Sequence, residues 1–188
     1  MKNTNPDQIY FEKAGIKHQD IIFKWLGLPH IQEFWDNSQE HKNDILDFIH
    51  DRKQHYFYGT TMYWVGYHDG QPFCFVLTDQ ILSSQNITNL HRAYLSQSGH
   101  TISLDFGIGN INFLGKGFAS PTLKAFVKFY HRNIDYKADT FFIDPDEDNP
   151  RAIHVYKKAG FEMVGDFTME SGFFEGKKTY LLIKKLYE

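Results

Sequence analysis

Apolar residues recur along the chain with two spacings, at every second position in some segments and at every third or fourth position in others. The first spacing is typical of half-buried strands and the second of amphipathic helices. The pattern predicts strands at 8–14, 61–67, 71–78, 101–109, 140–143, 161–168 and 179–184, and helices at 18–26, 40–53, 115–130 and 150–159. The predicted order is therefore β-α-α-β-β-β-α-β-α-β-β.

Two connections in this pattern have contrasting signals. His68-Asp69-Gly70 separates two strand segments, and an Asp-Gly pair accepts the positive φ angles that a tight turn requires, so a hairpin is predicted there. Residues 82–99 are polar and have no clear periodicity. They are predicted to form a long surface loop, a kind of segment that is often functional.

The element order predicts an α/β protein of the α+β kind, with one mixed sheet and helices on both faces. A length of 188 residues fits a single domain over 1–188, and the sequence contains no internal repeat or linker. Hydrophobic residues make up 41% of the chain, with 18 Phe and 11 Tyr, which is enough material for a buried core.

Charge and hydropathy exclude several classes of function. The net charge is -3 and no run of Lys or Arg forms a basic stripe, so no nucleic acid partner is expected. No apolar stretch is long enough to cross a bilayer, and the start of the chain has no apolar signal segment. The expectation is a cytoplasmic protein without a membrane partner.

Cysteine and histidine usage gives no sign of a metal site. Cys74 is the one cysteine and lies in the apolar run 72–77, so it is expected to be a buried structural thiol. The ten histidines are scattered and match no metal-ligand spacing, so no metal is expected.

The first candidate site is a glycine-containing turn at 114–119, between a predicted strand and a predicted helix. Gly115 and Gly117 allow the backbone to approach a ligand closely, and the first helical turn offers unpaired N–H groups. Such a turn is typical of an anion site that suits a pyrophosphate. Glycines at such a turn can also be required only for its backbone conformation, without any role in binding. The dinucleotide and P-loop signatures are both missing.

The second candidate site is the helix predicted at 150–159. Asn149 is a suitable N-cap, Pro150 fits the first helical position and Gly160 fits the position after the C-cap. These residues could serve only to start and stop the helix. However, Asn149 and Tyr156 lie on one face, together with Ile153, and a cap amide and a phenol on one face also suit a ligand groove.

Together these segments resemble the acetyl-CoA signature of the GNAT superfamily of acyl-CoA N-acyltransferases. The similarity to its aminoglycoside 6'-N-acetyltransferase branch rests on 105–119, Asp144-Pro145, the pattern Asn149-x-Arg151-Ala152-Ile153-x-x-Tyr156-x-Lys158-Ala159-Gly160-Phe161, and 30–35. Siderophore-biosynthesis acyltransferases have similar motifs. The resemblance implies a GNAT fold, with a mostly antiparallel central sheet and a splayed strand pair that forms the acetyl-CoA groove.

The resemblance also implies roles for individual residues. Asp105 would deprotonate the amine, Tyr156 would bind near the sulfur and protonate the leaving thiolate, and Asp144 would hold a cationic acceptor. The alternative for Asp105 is a polar residue at a strand end, and the alternative for Tyr156 is a position in the core. Acetyl-CoA would be the acyl donor and would be held by Ile108, Leu114, Gly115, Lys116, Gly117, Phe118, Ala119, Asn149 and Tyr156.

The acceptor side is less closely matched. Trp35 and Asp36 are candidates for the acceptor cleft, with packing as the alternative for Trp35. Glu170 is a candidate acidic contact in a late turn, where a solvated residue is the alternative. Segment 82–99 contains no carboxylate, whereas aminoglycoside enzymes tend to be acidic in this region.

The sequence therefore predicts an acetyl-CoA-dependent N-acetyltransferase acting on a small-molecule amine, with aminoglycosides and antibiotic resistance as one option. The alternatives are a siderophore hydroxylamine, a polyamine or a protein amine as acceptor, or a non-catalytic acyl-CoA sensor. A homodimer is compatible with the resemblance.

Overall fold

The structure, a computed structural model, describes residues 8–56 and 58–186. Its strands are β1 (Ile9–Lys13), β2 (Met62–His68), β3 (Gln71–Ile81), β4 (His100–Ile108), β5 (Ala138–Ile143), β6 (Glu162–Thr168) and β7 (Lys178–Lys185). Its helices are α1 (Gln19–Leu26), α2 (Pro29–Gln32), α3 (Gln39–Ile49), α4 (Asn89–Tyr94), α5 (Ala119–Asn133) and α6 (Pro150–Lys158). Within the described ranges, each helix is too short or too polar to cross a lipid bilayer.

The strands follow the order β1-β2-β3-β4-β5-β7-β6 in one sheet. The pairs β1–β2, β2–β3, β5–β7 and β6–β7 are antiparallel, and β4–β5 is parallel. The predicted mixed and mostly antiparallel sheet is thereby confirmed.

The chain divides into two compact units. The N-terminal unit comprises the described residues up to Thr78 together with Phe106–Thr122, and the C-terminal unit comprises Asp79–Asp105 and the described residues from Leu123 onward. Strands β3 and β4 and helix α5 each continue from one unit into the other.

The N-terminal unit is organised by the predicted β2–β3 hairpin. Asp69 and Gly70 have φ angles of 49° and 74°, as a two-residue turn between twisted antiparallel strands requires. Apolar side chains from α1, α3 and the hairpin form its core, including Trp25, Ile45, Tyr63 and Phe75. Cys74 is completely buried in β3, as predicted.

The C-terminal unit corrects the prediction for segment 82–99, which is not an irregular loop throughout. Helix α4 begins after Thr88, whose hydroxyl accepts a hydrogen bond from the N–H of His91 at 3.2 Å. His91 is buried against the rings of Phe142 and Phe167, at centroid distances of 5.8 and 4.7 Å. Burial against this apolar cluster stabilises a helix that is too short to form on its own.

The helix predicted at 115–130 also begins later than expected. Gly115 and Gly117 have φ angles of 72° and 82°, which an α-helix does not contain, and α5 starts at Ala119. Pro121 lies in the first turn of α5, where its missing N–H removes no helical hydrogen bond. The glycine-containing turn is therefore a loop that leads into the helix.

Candidate active site

Three residues with predicted chemical roles come together in the C-terminal unit. Asp105 is an exposed residue of β4, Asp144 is half-buried directly after β5, and Tyr156 is a residue of α6 that is 8% exposed. The sequence places them 39 and 12 residues apart, so only the fold can bring them into one electrostatic neighbourhood.

Strand register explains why the two carboxylates are close. β4 and β5 pair in parallel up to Ser103 opposite Phe142. Among the described residues, no further β4–β5 pair follows this one. Asp105 and Asp144 each lie two residues past this last pair, so both follow the end of the paired segment in the same relative position. Residues two apart in a strand point to the same face. The end of pairing agrees with the predicted splay.

Backbone hydrogen bonds hold the segment that follows Asp144. The N–H of Tyr180 donates to the carbonyl of Pro145 at 3.0 Å, and the N–H of Glu147 donates to the carbonyl of Lys178 at 3.0 Å. These bonds attach the connection between β5 and α6 to the start of β7, so the backbone that follows Asp144 is held in place.

The two acids and the phenol influence one another. Burial raises the pKa of Asp144 well above its ordinary value, and the negative charge of Asp105 raises it further. Burial also raises the pKa of the Tyr156 phenol, and the charges of Asp105 and Asp144 act in the same direction. At neutral pH the phenol is therefore protonated, and the carboxylates repel each other unless a proton or a cation lies between them.

Helix α6 fixes the position of Tyr156 through both of its ends. The side-chain oxygen of Asn149 accepts a hydrogen bond from the N–H of Ala152 at 3.0 Å, and Pro150 occupies the first helical position. Gly160, with φ of 88°, ends the helix in the left-handed conformation. The capping roles of these three residues are confirmed. The cap uses only the oxygen of Asn149, and its amide nitrogen carries two further donors.

The loop before α5 presents backbone donors in the N-terminal unit. Gly115, Lys116 and Gly117 are exposed, whereas Leu114, Phe118 and Ala119 are half-buried. Among the described residues, no backbone carbonyl accepts a hydrogen bond from the N–H of Gly115, Gly117 or Phe118. A Cβ atom placed on either glycine would meet nothing within 4 Å, so the space in front of the loop is open to a ligand.

A surface cavity of about 330 Å³ adjoins this loop in the N-terminal unit. Phe113 and Phe118 give it apolar walls, and the side chain of Lys116 adds a positive charge. Its other lining residues are His68, Asp69, Gln71 and Asn112. The loop thus combines exposed amides, one cation and an apolar recess, which together suit an anionic ligand with a hydrophobic part.

Ile108, at the end of β4, is 8% exposed, and its carbonyl oxygen lies 2.9 Å from Nε2 of His30 on α2. His30 belongs to the segment 30–35 that carries part of the family resemblance, but its contact with β4 was not predicted. No local signal could have identified this pair, because its members are 78 residues apart.

Trp35 and Asp36 lie in the N-terminal unit, where their predicted contact with an acceptor stays a prediction. Trp35 is 6% exposed and packs on Phe75 at a centroid distance of 4.3 Å. Asp36 accepts hydrogen bonds from the Ser38 N–H at 2.7 Å and from the Tyr56 hydroxyl. Both residues thus have a structural role whether or not they also contact an acceptor.

Burial alone would raise the pKa of Asp36, but the neighbouring His41 ring and hydrogen bonds from Tyr56 and Ser38 hold it well below its ordinary value. Nδ1 of His41 lies 3.7 Å from the carboxylate. Sequence reasoning missed this network because Tyr56 is 20 residues from Asp36.

Glu170 is exposed in the connection between β6 and β7, where its predicted acceptor contact stays a prediction. Within the part of the chain that the structure describes, no cluster of three or more His, Cys, Asp or Glu side chains could hold a metal ion.

Comparisons with known proteins identify the family. The family model of the acetyltransferase (GNAT) domain matches residues 16–169 of this chain. A kanamycin resistance protein of Rhizobium radiobacter is 35% identical over 69 residues, which is 37% of this chain. The matched part spans 62% of that relative's length.

Solved structures share the fold. An aminoglycoside N(6')-acetyltransferase of Legionella pneumophila has a TM-score of 0.72 at 23% identity and covers 94% of this chain and 91% of its own. The aminoglycoside acetyltransferase AAC(6')-Ib in complex with coenzyme A and kanamycin has a TM-score of 0.73 at 20% identity, with 95% of each chain covered. The predicted fold is confirmed, and because the family model spans most of the sequence, the chain belongs to the acetyltransferase (GNAT) family.

Proposed function

We propose that this protein transfers an acetyl group from acetyl-CoA to an amine of a small molecule, with aminoglycosides as the first acceptors to test. The observation that carries the proposal is the cluster of Asp105, Asp144 and Tyr156, which unites two carboxylates and a protonated phenol. These groups suit a reaction in which a cationic amine loses a proton and a thiolate gains one.

The loop at 114–119 fits the donor. Its exposed amides and the positive end of α5 suit the pyrophosphate of acetyl-CoA, and positive φ angles at Gly115 and Gly117 keep the loop free of side chains that would block it. The amide nitrogen of Asn149 is a suitable donor to the pantetheine arm. When bound, acetyl-CoA supplies an acetyl group activated as a thioester.

Asp105 acts as the general base in this proposal. Its carboxylate is accessible, and it removes a proton from the incoming ammonium group so that the amine becomes a nucleophile. The Ile108 N–H donates to the acetyl oxygen as negative charge develops there. No covalent intermediate on the enzyme is required, in keeping with the complete burial of Cys74.

Asp144 attracts the acceptor, and its charge links the two halves of the reaction. A cation bound near Asp105 and Asp144 offsets the negative charges that raise the pKa of Tyr156. The phenol is then a stronger acid when the acceptor is present than when the site is empty. Tyr156 thus donates its proton to the departing sulfur in the ternary complex, where that proton is needed.

Segment 82–99 bears on the acceptor, because it contains basic residues and no carboxylate. His91 is buried in the apolar cluster, and Arg92 donates to the carbonyls of Ser83 and Gln85 at 2.6 and 3.3 Å. Both basic side chains therefore support the segment's own structure. The choice of aminoglycosides as the first acceptors to test therefore rests on the names of the relatives and not on this segment.

The experiment follows release of free CoA from acetyl-CoA with aminoglycosides, polyamines, hydroxylamines and peptides as acceptors. We expect release that depends on an aminoglycoside. Release with another amine alone would keep the chemistry and reject this acceptor class. If CoA raises the melting temperature but no acceptor supports release, the catalytic proposal fails and an acyl-CoA sensor is favoured.

A further inference from the structure

His30 makes a side-chain contact with the backbone at the end of β4. Its Nε2 atom lies 2.9 Å from the carbonyl oxygen of Ile108. Since a carbonyl oxygen can only accept, Nε2 carries the hydrogen, and this bond sets the tautomer of the neutral ring. His30 itself is half-buried at the surface of α2.

The same peptide group is held on its other side. The N–H of Gly109 donates to the carbonyl of Phe73 on β3 at 2.9 Å, so it points toward β3. The Ile108 carbonyl therefore points away from β3, and because a residue's own N–H and C=O share one edge of a strand, the Ile108 N–H also faces that edge. His30 thus lies at the edge of β4 where this N–H is presented.

Two glycines show that the backbone of β4 lies directly against the N-terminal helices. A Cβ atom on Gly107 would come within 3.1 Å of Ile31, and one on Gly109 would collide with the ring of Trp25. This close packing is independent of the His30 hydrogen bond. Helices α1 and α2 therefore pack directly against the end of β4, and the hydrogen bond from His30 sets the orientation of a peptide within this contact.

We propose that His30 is a positioning residue for acetyl transfer, which holds the Ile108–Gly109 peptide through its carbonyl and thereby fixes the backbone of Ile108, whose own N–H, in the preceding peptide, is aimed at the acetyl oxygen. The role rests on the proposed function of this strand end. Loss of the hydrogen bond allows the peptide to rotate, and a donor misplaced by a fraction of an ångström stabilises the developing charge less well.

The test compares His30→Leu, which removes the donor, with His30→Gln, which keeps an N–H donor on a side chain of similar length. His50→Leu is a matched control, because Nε2 of His50 makes a contact of the same length, 2.9 Å, but with the side chain of Gln19. We expect His30→Leu to lower kcat by about 10- to 100-fold with little change in KM for acetyl-CoA. His30→Gln should recover most of the activity, and His50→Leu should retain it.

Amide hydrogen exchange at Gly109 gives a readout that needs no turnover. Exchange should be faster in His30→Leu than in the wild type and in His50→Leu, because the peptide has lost one of its two hydrogen bonds. Unchanged exchange, or equal losses of kcat in the Leu and Gln variants, would overturn the proposal. If the wild type acetylates no amine, the function proposed above fails, whereas Gly109 exchange still decides whether His30 holds the strand.

Discussion

Asp36 and Asp144 are both shielded from solvent, yet their surroundings act on them in opposite directions. Asp36 is surrounded by donors, which hold its pKa low and stabilise its charge. Asp144 has Asp105 as a neighbour of like charge, and its pKa is raised. Burial alone therefore does not decide what a carboxylate does. A carboxylate whose charge is already satisfied supports structure, whereas one in an unfavourable setting gains from binding a proton or a cation.

The largest effect should come from removing one member of the acid pair. Asp105→Asn keeps the shape of the side chain but cannot accept the amine proton, so we expect kcat to fall by about 100- to 10,000-fold. Affinity for CoA should stay at the wild-type level. CoA release and CoA titration measure the two quantities, with Asp51→Asn, at an exposed position, as a control. Full turnover in Asp105→Asn would show that the carboxylate is not the base.

The second-largest effect should come from changing Tyr156, whose phenol has a pKa raised by burial and by the charges of Asp105 and Asp144. Tyr156→Phe removes the proton donor and keeps the ring, so kcat should fall by about 10- to 100-fold with a small change in KM for the acceptor. Steady-state kinetics checks this, and Tyr136→Phe, at a residue that is 76% exposed, is the matched control. A variant as active as the wild type would limit Tyr156 to packing.

Stability should separate the two aspartates directly. Asp36→Asn replaces an acceptor of several hydrogen bonds by an amide, so the free energy of unfolding should fall by about 1–3 kcal/mol. Asp144→Asn removes a repelled charge, so stability should stay level or rise by up to about 1 kcal/mol, while KM for a cationic acceptor increases. Urea unfolding of both variants measures the difference. Equal destabilisation by both changes would contradict the comparison.

The smallest effect is the pH dependence of the difference in stability between the Asp36→Asn and Asp144→Asn variants. Folding raises the pKa of Asp144. Its favourable contribution to the free energy of unfolding is therefore fully present below the unfolded pKa of about 3.9, and it is lost as pH rises through the folded pKa. Asp36 has a lowered pKa, so its share is present above about 3.9 and is lost only in strong acid. The stability of Asp144→Asn relative to the wild type should therefore grow as pH rises above about 4, whereas that of Asp36→Asn should change little there.

Urea unfolding across this range tests the pH dependence. A constant difference between the wild type and Asp144→Asn would mean that folding does not raise the pKa of Asp144.

Local chemistry made parts of the fold predictable from the sequence. The Asp69-Gly70 turn and the Asn149, Pro150 and Gly160 ends of α6 depend on backbone angles and caps that neighbouring residues determine. The family resemblance added Asp105, Asp144 and Tyr156, although their mutual influence emerges only from the β4–β5 register.

Long-range packing explains what the sequence did not predict. Helix α4 is polar in sequence, and it forms where His91 packs against Phe142 and Phe167 from distant strands. Tyr56 lies 20 residues from its partner Asp36, and His30 lies 78 residues from its partner Ile108. No local sequence pattern predicts such long-range pairs. The sequence could therefore indicate candidate residues, but it could not predict which residues they contact.

The burial of Cys74 has a practical consequence for the assays. Its thiol is completely enclosed, and burial raises its pKa, so the reactive thiolate is scarce and inaccessible. Since the chain has one cysteine, the folded protein should contribute almost no background in a colorimetric thiol assay. The same reagent would stain the protein only after it unfolds, so one chromogen can report both catalysis and loss of the native state.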